Sequence, residues 1–135
     1  MSNTTLPASI ESLGKFLKHV TDCALEQGFT AKKIGEMRLA AEEVLVNIFQ
    51  NAYPKENGEV EVSCSLREDH AFIIKISDAG IPFNPLELPE PDIGADLSQR
   101  KIGGLGVFLV RKLMDEIEYR RENNRNVLTL ISFQT

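Results

Sequence analysis

Between residues 30 and 52 the apolar residues Ile34, Met37, Ala41, Val44, Leu45, Ile48 and Phe49 recur at helical spacing and predict one long helix. Thr30 stands where its hydroxyl can accept from an orphan backbone N–H of the first turn. A second amphipathic pattern carries Ile10, Leu13, Leu17, Val20 and Ala24; it predicts a helix over residues 9–27 that stops at Gly28. The period then falls to two. Val60, Val62, Cys64 and Leu66 alternate with Glu59, Glu61, Ser63 and Ser65, so residues 59–67 read as a half-buried strand. Glu68-Asp69-His70 reads as a turn, and residues 71–77 form a nearly continuous apolar run suited to a central strand. Helical spacing returns after Gly106. Residues 116–121 and 126–133 then predict a hairpin around Glu122-Asn123-Asn124-Arg125. The expected fold class is α+β, a two-layer sandwich with helices on one face of a mixed, mostly antiparallel sheet. Residues 86–101, with Pro89, Pro91 and Gly94, fit no element; unstructured stretches of that length are uncommon in compact domains and often functional.

Three polar interruptions stand out against this pattern. Glu43, Asn47 and Asn51 lie four residues apart, hence on one face of the long helix. A solvated face would explain such a stripe on an arbitrary helix. Here Ala40, Ala41, Ile48, Phe49 and Ala52 crowd it, and a buried carboxylate without a partner is costly. A cation with phosphates would supply that partner. The second interruption, Asp78-Ala79-Gly80-Ile81-Pro82-Phe83-Asn84-Pro85, follows the central strand. It reads equally as a plain turn or as a carboxylate that accepts from an adenine amino group, with Gly80 letting the backbone approach the base. The third is Gly103-Gly104-Leu105-Gly106 at the start of a helix, a place where free N–H groups and the helix dipole favour phosphate. It lacks the Gly-Lys-Ser/Thr ending of a P-loop, and a hairpin follows it instead of a parallel strand, unlike a dinucleotide fingerprint.

In this order the three segments resemble the GHKL (Bergerat-fold) ATP-binding superfamily of gyrase, MutL and the histidine kinases. Within it they are most similar to the small anti-sigma-factor serine/threonine-protein kinases. The resemblance rests on Arg38-Leu39-Ala40-Ala41-Glu42-Glu43-Val44-Leu45-Val46-Asn47, on Asp78-x-Gly80-x-Pro82-Phe83-Asn84-Pro85, and on Gly103-Gly104-Leu105-Gly106-(x)8-Asp115-Glu116-Ile117-x-Tyr119 with Asn126. Asn47-Ile48-Phe49-Gln50-Asn51-Ala52 also echoes the doubled asparagine of histidine kinases. The resemblance covers nearly the whole chain. It implies ATP and Mg2+ as cofactors and transfer of the γ-phosphate to a serine or threonine of a partner protein. Glu43 would act on the hydroxyl proton, and Asn47 would ligate magnesium. Asn51, Asp78, Gly80, Pro82, Phe83, Gly103, Gly104, Leu105 and Gly106 would line the nucleotide. Residues 86–101 would be the ATP lid, with Arg100 and Lys101 as its cationic end. The implied partners are an antagonist with a sulfate-transporter/anti-sigma-antagonist (STAS) fold and a sigma factor; a homodimer is possible. Glu42 lies about 100° round the helix from Glu43, and the resemblance favours Glu43.

Composition narrows the class further. The chain has 135 residues, enough for one domain with a sizeable core. Its formal net charge of -5, without a basic stripe, disfavours nucleic acid as a partner. No apolar run approaches a membrane span and no signal-peptide core opens the chain, so a cytoplasmic protein is expected. Cys23 and Cys64 sit on apolar faces and read as core thiols of a reducing compartment, not as a metal or redox pair. His19 and His70 read as structural or solvated. Three other functions stay open: a non-catalytic module that sequesters a partner when ATP is bound, the catalytic domain of a histidine kinase, and a hydrolytic ATPase. No phosphoacceptor-bearing helical hairpin and no further domain that would harness hydrolysis is legible in the chain.

Overall fold

The computed structural model describes residues 2–53, 57–87 and 106–133. Eight elements follow in order: β1 (Ser2–Pro7), α1 (Leu13–Glu26), α2 (Ala31–Asn51), β2 (Glu59–Leu66), β3 (Phe72–Asp78), α3 (Gly106–Leu113), β4 (Glu116–Glu122) and β5 (Arg125–Ser132). Short 3-10 turns occupy Ile10–Ser12 and Pro85–Glu87. The predicted first helix is therefore this 3-10 turn running into α1, and Gly28 follows it with φ 83°. In α2 the Thr30 hydroxyl accepts from the backbone N–H of Lys33, as the sequence predicts.

The strands form one five-stranded sheet in the order β1-β2-β3-β5-β4, and every pairing among the described residues is antiparallel. The expected mixed character survives only indirectly. β3 and β4 point the same way, but β5 inserts between them, so no parallel ladder forms. β1 is an element that the apolar pattern does not reveal. Its sequence SNTTLP is polar and largely exposed, and Pro7 is tolerated because the strand lies at the sheet edge.

Directly opposed residues share a face. Val60, Val62 and Cys64 of β2 thus line up with Ile74 and Ile76 of β3 and Leu128 and Leu130 of β5 on the helix side. They pack with Phe16, Leu17, Val20 and Ala24 of α1 and with Met37, Ala41, Val44, Leu45 and Ile48 of α2. Burying a side chain of this size stabilises the fold by roughly 1.5–3 kcal/mol. At one end of the sheet the apolar rows stop. The last row reads Leu6, Val60, Asp78, Asn126, Arg121 across the five strands. Asp78 and Asn126 are both buried there. A buried carboxylate and a buried amide in an otherwise apolar face need partners, and the site is built around them.

Candidate functional site

Asn126 is the hub. Its amide nitrogen donates to Asp78 Oδ1 (2.9 Å) and to the Ile81 carbonyl (2.8 Å). Its amide oxygen accepts from the Phe83 N–H (3.1 Å) and from the Tyr119 hydroxyl (2.6 Å). Asp78 Oδ1 also accepts from the Gly80 N–H at 2.9 Å. Both ends of one asparagine therefore hold the backbone from 78 to 83. Arg121 donates to the Gly80 carbonyl at 2.8 Å, and the Ala79 N–H donates to the Tyr53 hydroxyl, which in turn donates to the Glu59 carbonyl. With Oδ1 so occupied, Asp78 Oδ2 makes no hydrogen bond to any described residue. The carboxylate is oriented through Oδ1.

Gly80 has a nearer structural cause than approach to a base. A Cβ at this position would collide with the Ala52 carbonyl oxygen. The Ile81 N–H donates to that same carbonyl at 2.9 Å. The turn after β3 is thereby latched to the C-terminal end of α2, and only glycine permits the contact.

From that latch α2 runs back past the polar stripe. At 1.5 Å per residue, Asn47 lies about 7.5 Å and Glu43 about 13.5 Å along the axis from Ala52. Asn47 is buried, at 5% exposure, and its side chain makes no hydrogen bond to any described residue. Glu43 Oε2 is buried and has no hydrogen-bond partner among the described residues. Burial pushes the Glu43 carboxyl above its ordinary range, and the charge of Glu42 adds to the rise. Glu42 itself faces Arg38 across a 3.7 Å ion pair, which separates the two neighbouring carboxylates into one paired and one orphaned. Asn51 donates from its side-chain amide to the Asn47 carbonyl, one helical turn back (2.8 Å). Pro82 is exposed and Phe83 half-buried on the turn. Gly106 is the first residue of α3. Arg100, Lys101, Gly103, Gly104 and Leu105 lie outside the described residues.

The structure thus gathers Asp78, Gly80 and Phe83 in one turn and Glu43, Asn47 and Asn51 on the helix latched to it. It also shows what the sequence left without a role. Tyr53, Arg121 and Asn126 hold the turn, and Tyr119 holds Asn126. Asp115 ties α3 to β5, since its N–H donates to the Ile131 carbonyl and its carboxylate accepts from Phe133. Cys23 and Cys64 are free core thiols, as the sequence predicts. Although Cys23 and Cys64 come from different elements, their sulfurs lie in one cluster with His19, because α1 crosses over the far end of β2. Burial and the adjacent Cys23 thiol push the Cys64 thiol upward.

As for what this arrangement can do, an orphaned carboxylate, a buried amide and an oriented second carboxylate offer oxygen donors of the kind a hard cation and a nucleotide require. A family model for the histidine kinase-like ATPase domain matches residues 6–132. The serine-protein kinase RsbW of Listeria monocytogenes is 32% identical over 120 residues, covering 84% of this chain and 74% of that kinase. RsbW of Bacillus mycoides is 29% identical over 127 residues, covering 91% and 79%. Among solved structures, the histidine kinase domain of an Erythrobacter litoralis blue-light activated histidine kinase superposes with a TM-score of 0.53 at 20% identity, and a further structure of that kinase with 0.55 at 18%. These superpositions cover 89% and 90% of this chain but only 60% and 40% of the kinase chains, and the likeness is one of fold. No helix among the described residues is long and apolar enough to cross a membrane.

Proposed function

The chain belongs to the histidine kinase-like ATPase domain family, and on that premise we propose that it is an ATP-dependent serine/threonine kinase of the anti-sigma-factor type. Its substrate in this reading is a STAS-type antagonist, and the protein it regulates in the cytoplasm is a sigma factor. The name serine-protein kinase carried by the RsbW relatives supports a hydroxyl acceptor. The observation that carries the reading is Glu43: a buried carboxylate oxygen, without a partner among the described residues, one helical turn from the buried Asn47.

Each residue then has a task set by its surroundings. Asp78, fixed through Oδ1, offers Oδ2 to the exocyclic amine of adenine. Asn47 offers its side-chain oxygen to Mg2+, which when bound supplies positive charge against the phosphate oxygens. Glu43 accepts the proton of the incoming hydroxyl; its raised proton affinity suits it to that role. As the hydroxyl oxygen forms its bond to the γ-phosphorus, the bond from the γ-phosphorus to the β–γ bridging oxygen breaks and ADP leaves. Such transfer rests mainly on positioning and charge stabilisation. A rigid turn latched to the helix that carries the other two groups meets that need. Gly106 and the residues before it would seat the phosphates, and Arg100 and Lys101 would add charge.

The test offers the purified chain Mg-ATP and a candidate STAS-type protein, then locates the phosphate by mass spectrometry. Phosphoserine or phosphothreonine on the partner is the expected result. Phosphohistidine would place the chain in the other branch of its family. ATP-dependent complex formation without transfer would make it a sequestering module.

A further inference from the structure

Away from the nucleotide site, α1 and β2 bring together a histidine and two cysteines. His19 and Cys23 are four residues apart and so lie on one face of α1. Cys64 projects from the helix-facing side of β2. One ligand atom of each lies within 4.8 Å of the others. We propose that His19, Cys23 and Cys64 form a binding site for a thiophilic metal ion, zinc, that ties α1 to the sheet.

The ligand set carries the argument. Two thiolates and an imidazole are the donors that zinc selects over hard-cation oxygen sites. At a Zn–S length of 2.3 Å, tetrahedral ligands stand about 3.8 Å apart. The cluster therefore needs to contract by about 1 Å, which side-chain rotation of Cys23 and His19 can provide, since both are half-buried. The imidazole is only loosely engaged. His19 Nε2 sits 3.3 Å from the Ser2 carbonyl, 3.4 Å from the Ser2 hydroxyl and 4.0 Å from Cys23 Sγ. The two oxygen contacts lie beyond the 2.7–3.2 Å range of a good N–H···O bond. A groove lined by Ser2, Cys23, Glu26, Gln27, Cys64 and Phe72 opens beside the sulfurs and gives an ion a path in and room for a fourth ligand. On binding, the two thiols release their protons to solvent, and the two thiolate charges neutralise the dication. Cys64 is four residues along β2 from Val60, which faces Asp78, so this site is about 14 Å from the adenine end of the nucleotide site.

The experiment uses the full chain, reduced and stripped with a chelator. Zinc is titrated against a chromophoric competitor, and cobalt replaces zinc for absorption spectroscopy. Expected are one zinc per chain, thiolate-to-cobalt charge-transfer absorption, and a thermal midpoint that rises with added zinc. Cys23→Ser should lose the charge-transfer intensity of one thiolate and the zinc-dependent rise. His19→Ala, at a half-buried position the fold can spare, should weaken zinc by at least about tenfold while keeping both thiolate bands. The proposal is overturned if a Cys23→Ser/Cys64→Ser double variant binds zinc as tightly as the parent, or if cobalt binds without thiolate bands. It is overturned as well if mild oxidant links Cys23 to Cys64 equally fast with and without zinc.

Discussion

Replacing Asn126 by alanine removes four hydrogen bonds at once, and their lengths set the expected cost. The bonds to Asp78, Ile81, Phe83 and Tyr119 are 2.9, 2.8, 3.1 and 2.6 Å. A net contribution of about 1 kcal/mol each gives an upper sum of about 4 kcal/mol. The Tyr119 hydroxyl and the Phe83 N–H belong to half-buried residues that can recover water, and Asp78 Oδ1 keeps the Gly80 N–H. The expected loss is therefore about 2–4 kcal/mol. With a urea slope near 2 kcal/mol/M, that moves the unfolding midpoint down by about 1–2 M. Tyr119→Phe, which removes one bond, should cost about 0.5–1.5 kcal/mol. Because the same bonds aim Asp78, ATP affinity of the alanine variant should also fall, by about tenfold, under conditions where circular dichroism shows it folded. A midpoint within about 0.3 M of the parent, at an unchanged slope, would refute the claim that Asn126 organises the turn.

Three further substitutions probe the other groups. Asp78→Asn exchanges the carboxylate for a neutral amide; a charge-assisted bond of roughly 1.5–3 kcal/mol makes the loss of ATP affinity about ten- to a hundredfold, and calorimetry that finds GTP bound as well as ATP by the parent contradicts the adenine assignment. Asn47→Ala should abolish the magnesium dependence of ATP binding while circular dichroism stays at the parent spectrum; undiminished Mg-ATP binding would make Asn47 purely structural. Glu43→Gln tests the buried charge through pH. The folded state favours the protonated carboxyl, so the parent's stability from this group is complete below its unfolded pKa of about 4.3 and is lost as pH rises through the raised folded value. The glutamine variant should match the parent in acid and exceed it by about 1 kcal/mol at neutral pH, the unsatisfied-group cost taken at its low end because Glu43 is only half-buried; a gap that does not change with pH refutes it.

What the sequence discloses follows the range of the interactions. α2 is legible because its periodicity and its Thr30 cap act within one helical turn. The β2 and β3 strands are legible because period two and a turn are local as well. β1 is not, since a short polar edge strand takes its conformation from its partner β2. The last hairpin is tighter than its four turn residues suggest, because Asn123 and Asn124 both adopt positive φ, 52° and 61°, and close it in two residues. The site divides the same way. Asp78 and Gly80 declare themselves by composition, although Gly80 answers to the Ala52 carbonyl in addition to any ligand. Tyr53 and Arg121 reach across 26 and 41 residues, so no spacing marks them; Asn126 is marked by the resemblance alone, since its bond to Asp78 spans 48 residues. His19 and Cys23 do have a recognisable spacing, but Cys64 joins them only when α1 lies over β2.

In the proposed reaction Glu43 serves the acceptor hydroxyl and not the nucleotide. The most direct measurement is the single-turnover rate of phosphoryl transfer by Glu43→Ala at saturating Mg-ATP and partner, beside its ATP affinity. General-base assistance contributes typically ~10²–10⁴ in rate. A fall of that size with ATP affinity unchanged is expected. A rate within about threefold of the parent, or a loss explained wholly by weaker ATP binding, would contradict it.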